Sequence, residues 1–106
     1  MVVAAARRGV ELGGKDREAS LKLLREIAKD DTKAARLARQ ALAHAGDVSV
    51  VPLLDKDARA KSALTRADAA QELARLGQVN KTLALLGDVD AHVRSEATCA
   101  LLEMAD

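Results

Sequence analysis

The chain has 106 residues, of which 49% are hydrophobic and 31% charged, with a formal net charge of +1 and no Phe, Tyr or Trp. That length suits one domain, and the interspersed charges create no field that would gather polyanions. Six glycines and one proline argue against both disorder and a collagen-like chain.

Without aromatics the core must be made of Ala, Leu and Val, and the first two lead the helix-propensity scale. No apolar stretch approaches the length of a membrane span. The short apolar run at 2–6 precedes Arg7 and Arg8, the reverse of a secretory signal. The single Cys99 cannot close an internal disulfide, which favours a reducing compartment. A cytoplasmic protein is expected.

Helical spacing runs through nearly the whole chain. A first helix is expected over 2–12, closed by Gly13 and Gly14. The second, 16–29, has Asp16 as a candidate N-cap and Leu21, Leu24, Ile27 and Ala28 on one stripe. After Asp30, Asp31 and Thr32, a third carries Ala34, Ala38, Ala41, Leu42 and Ala45, and Gly46 ends it. The segment 47–54 is a short helix in which Pro52 fits only the first turn. A long run from Asp57 breaks at Gly77. A short helix with Val79, Leu83 and Leu86 on one side follows, and the last carries Val93, Ala97, Ala100, Leu101 and Met104. Seven helices joined by tight turns give an all-α protein.

These segments repeat. "RQALAHAGDV" (39–48) matches "AQELARLGQV" (70–79) with a shift of 31 residues, and "TRADAAQELARL" (65–76) matches "VRSEATCALLEM" (93–104) with a shift of 28. A period near 30 residues is one helical hairpin, and a hairpin with an exposed apolar face needs a neighbour to cover it. Approximate units are 1–29, 30–56, 57–87 and an incomplete 88–106, all within one domain, 1–106.

"LLGDVDAHVRSEATCALLEMA" (85–105) and "GDVSVVPLLDKD" (46–57) resemble HEAT repeats, particularly the short class found in phycobilin lyases; armadillo repeats are a near cousin. The resemblance covers roughly 20–106 and implies a right-handed α-α superhelix, or solenoid, of about three helical-hairpin repeats. It also implies an internal Asp90–Arg94 bridge. The middle unit departs from the pattern by about four extra residues between Asp57 and Ala69. Ala35 stands where the later units have Arg66 and Arg94.

Candidate chemistry is sparse. Cys99 reads as a small core residue beside Ala97 and Ala100. His92 and Cys99 are too few for zinc, and His44 reads as a surface residue. Asp55, Asp57, Asp88 and Asp90 fit helix capping better than acid–base work. Gly13, Gly14 and Lys15 lack the spacing of a phosphate loop. Lys22, Arg25, Lys29, Lys33, Arg36 and Arg39 form a basic cluster that Glu26, Asp30 and Asp31 interrupt, an ordinary solvated face. Without aromatics there is no stacking platform for single-stranded nucleic acid.

No catalytic residue, metal or cofactor is expected. The expected function is a non-catalytic scaffold that binds a protein or peptide along the concave side of the stack. In HEAT proteins the second helix of each pair lines that side, here 16–29, 47–54 and 78–86. Lys22, Arg25, Glu26, Ser49, Asn80 and Lys81 are the contact candidates. A nucleic-acid-binding HEAT-like module and an accessory subunit of a larger enzyme, such as a cofactor lyase, are the alternatives. Leu101, Leu102 and Met104, with Val2, Val3 and Val10, leave apolar ends uncovered. A longer parent chain, self-association or a partner on these ends is expected from that.

Overall fold

The computed structural model describes residues 14–105. Among them are six α-helices and two 3₁₀ turns, with no strand. The first expected helix, with Val2, Val3 and Val10, lies outside the described residues. The chain divides after Val50 into two compact units, and each is described by itself.

In the first unit, α1 (Gly14–Ala28) packs against α2 (Lys33–His44), and a 3₁₀ turn, Val48–Val50, closes on α2. Asp16 sits in the first turn of α1 rather than at its cap. Leu21, Leu24 and Ala28 are buried as their spacing requires, and they meet Ala35, Ala38, Ala41, Leu42 and Ala43 of α2. Ala34, expected inside, is exposed, and Ala35 takes its place. The Thr32 side chain accepts the Ala35 amide at 3.0 Å, a cap that fixes where the helix starts.

The other end of α2 is set by Gly46, whose φ is +77°. The Gly46 amide donates to Ala43 and the Asp47 amide to Leu42, both at 3.0 Å. This paired bonding is a Schellman ending, which needs a left-handed residue that glycine adopts without steric cost.

The second unit holds α3 (Val51–Asp57), α4 (Ala63–Arg75), α5 (Val79–Ala84), a 3₁₀ turn at Leu85–Gly87 and α6 (Ala91–Met104). Pro52 lies in the first turn of α3, where its missing N–H costs nothing. Helices α4 and α6 form the main contact. Gln71 donates to Glu96 across this contact, and Arg75 and Glu103 line one cleft there. Ala67, Ala69, Ala70, Leu73 and Ala74 of α4 are buried, as are Val93, Ala97 and Ala100 of α6. Methyl side chains let helix backbones approach closely, so contact of many small groups replaces the large aromatic areas the chain lacks.

Gly77 ends α4 as Gly46 ends α2. Its φ is +73°, its amide donates to Ala74, and the Gln78 amide donates to Leu73, both at 2.9 Å. Nothing lies within 4 Å of a Cβ added there, so any penalty for Gly77→Ala comes from the backbone alone. We expect a loss of about 1 kcal/mol, the cost of a left-handed alanine, measurable by urea denaturation. A neutral substitution would show that the turn had relaxed to another conformation.

Two apolar expectations change in this unit. Val79, Leu83 and Leu86 do share a side, but it faces solvent at 45%, 45% and 38% exposure. Thr82 and Leu85 form the inner face of that segment. Thr82 can be buried because its hydroxyl donates to the Gln78 carbonyl at 2.9 Å, one helical turn back. Cys99 is exposed. It stands two residues from Ala97, a 200° rotation at 100° per residue, and so off the stripe that turns inward.

Candidate functional site

The polar architecture rests on arginines that hold the backbone ends of the preceding segment. Arg39 is only 2% exposed, although the sequence places it in a solvated basic cluster. Its Nε donates to the Ala28 carbonyl and one Nη to the Asp30 carbonyl, each at 2.8 Å. Those are the C-terminal carbonyls of α1 and its following turn, groups left without helical partners and carrying the negative end of the dipole. In the second unit Arg66 donates to the carbonyls of Ala60 and Lys61 at 2.8 and 2.9 Å. Arg94 donates to the Asp88 carbonyl at 2.8 Å. The turn that Arg66 grips lies between α3 and α4.

Two aspartates after glycines bind arginines in the same manner. Arg25 Nε meets Asp47 Oδ2 at 2.7 Å, and Arg66 Nε meets Asp88 Oδ2 at 2.8 Å. Each aspartate also accepts an amide two residues on, from Ser49 at 3.0 Å and from Asp90 at 2.9 Å. These are Asx turns. For Asp47, burial acts to raise the pKa, but the hydrogen bonds from Ser49 and Arg25 outweigh it and hold the carboxyl below its ordinary value. Asp88 is held low chiefly by the Arg66 hydrogen bond and next by the Asp90 amide, and Arg66 is raised in return.

The expected Asp90–Arg94 bridge takes a different form. Asp90 caps α6 by accepting from the His92 and Val93 amides at 2.8 and 3.2 Å. Arg94 turns to the Asp88 carbonyl, and the guanidinium on the Asp88 carboxylate is that of Arg66. Spacing within one helix pointed to Asp90 and Arg94; the partner that completes the pair lies 22 residues away, on the neighbouring helix.

The contact candidates fall in both units. In the first, Lys22 and Glu26 are exposed on α1, and Glu26 pairs with Lys29 at 3.0 Å. Arg25 is joined through Asp47 to the amide of Ser49, so these two candidates share one network. In the second unit, Asn80 and Lys81 are adjacent and exposed on α5, and Lys81 pairs with Asp55 at 2.9 Å. Arg25 and Lys81 are therefore engaged within the fold, while Lys22 and Asn80 present open polar groups. His44 is exposed as expected.

Sequence reasoning missed Glu72. It lies on α4 at 6% exposure, where burial chiefly, with the charges of Asp68 and Asp57, pushes its pKa up to about 8 against a weaker opposing pull from Arg75. The visible signal is its position one residue before Leu73, aligned with Ala41 and Ala100 in the neighbouring repeats. A carboxyl at a position otherwise given to alanine is the anomaly.

Between α4 and α6 lies an open cleft of about 110 Å³ lined by Gln71, Arg75, Glu96, Cys99, Ala100 and Glu103. Among the described residues no group of three or more His, Cys, Asp or Glu side chains is placed to hold a metal. No described helix is long and apolar enough to cross a membrane. No family model, curated protein or solved structure matches the chain.

Proposed function

We propose that the chain is a non-catalytic scaffold or adaptor module, built from HEAT-like hairpins, that binds a protein or peptide partner. The observation that carries this reading is the row of Val79, Leu83 and Leu86 along α5 and its following turn, which leaves three large apolar side chains 38–45% exposed. A contiguous exposed apolar row marks an interaction surface more often than scattered single residues do. The open amide of Asn80 borders the row. In the solenoid this reading supposes, α5 is the second helix of its pair and its outward side belongs to the concave face. The matched endings at Gly46 and Gly77 and the packing of α4 on α6 favour such a stack.

The test is capture of a partner from an extract of the source cells, followed by affinity measurement with the purified partner. Val79→Glu with Leu83→Glu should weaken binding at least tenfold while changing stability little, since surface substitutions usually stay within about 0.5 kcal/mol. Leu37→Glu, at an exposed position of the first unit, is the control and should leave affinity unchanged. Full affinity in the α5 double variant would remove this surface from the function.

A further inference from the structure

We draw no further inference here: the strongest candidate, the open cleft between α4 and α6 lined by Gln71, Arg75, Glu96, Cys99 and Glu103, pairs a lone thiol with carboxylates, and nothing in the structure shows what it would hold.

Discussion

Replacing Arg39 with Met should destabilise the protein by about 3 kcal/mol, within the range for losing charge-assisted hydrogen bonds and leaving buried acceptors unpaired. The side chain is 2% exposed, and its guanidinium serves the carbonyls of Ala28 and Asp30 at 2.8 Å each. Met retains a long apolar stem but no donors, so both carbonyls lose that partner. For a domain of this size the change corresponds to a fall of roughly 15 °C in melting temperature. Circular dichroism at 222 nm during thermal and urea denaturation would measure it. Arg39→Lys should recover less than half of the loss, because one ammonium on a flexible stem does not reproduce a planar fork aimed at two acceptors. A loss under 1 kcal/mol for the Met variant would mean that water reaches those carbonyls and replaces the arginine.

The second large effect concerns pH. Glu72 is neutral in the fold until about pH 8, whereas the unfolded chain holds it near its ordinary value of 4.5. A folded pKa raised above the unfolded one means that the fold binds the proton more tightly. Its contribution to stability is therefore fully present below pH 4.5 and is lost as pH rises, with the decline ending above about pH 8. Within that window the slope approaches about 1.4 kcal/mol per pH unit, so the whole decline is on the order of several kcal/mol. Glu72→Gln keeps the shape but cannot ionise. The variant should therefore gain stability relative to the parent as pH rises, by a few kcal/mol between pH 5 and pH 8.5. Urea melts at those two pH values for both proteins give the comparison. Parallel pH profiles would show that the carboxylate finds water or a cation in the folded state.

Much of the helical arrangement is legible in the sequence because its signals are local. Gly46 and Gly77 announce their turns, Leu21, Leu24 and Ala28 announce a buried stripe, and Pro52 announces a first turn. Where the reading slips, something that apolar spacing does not register decides. Ala34 and Ala35 are equally apolar, and packing against α1 decides which one turns inward. Val79, Leu83 and Leu86 form a clean apolar side, yet the segment buries Thr82 because that hydroxyl finds a carbonyl within its own helix.

The polar site is less legible still. Arg39 looks like one more surface cation in a row of six, and nothing local marks it as the guanidinium that reaches back to α1. The same holds for Arg66 and Asp88: a spacing of 22 residues has no meaning until two helices are laid side by side. Sequence spacing finds pairs on one helix, as with Asp90 and Arg94. The fold instead pairs Arg66 of α4 with Asp88 in the turn before α6.

The outward placement of Cys99 has a practical consequence. With no tryptophan, tyrosine or phenylalanine and one cysteine, the chain absorbs almost nothing at 280 nm and has no useful intrinsic fluorescence. A maleimide dye on that sulfur supplies a chromophore at one defined place, beside Glu96 and Glu103 on the cleft wall. Its emission would report whenever the rods bearing Gln71 and Glu96 draw apart, making visible by spectroscopy a molecule that is otherwise optically silent.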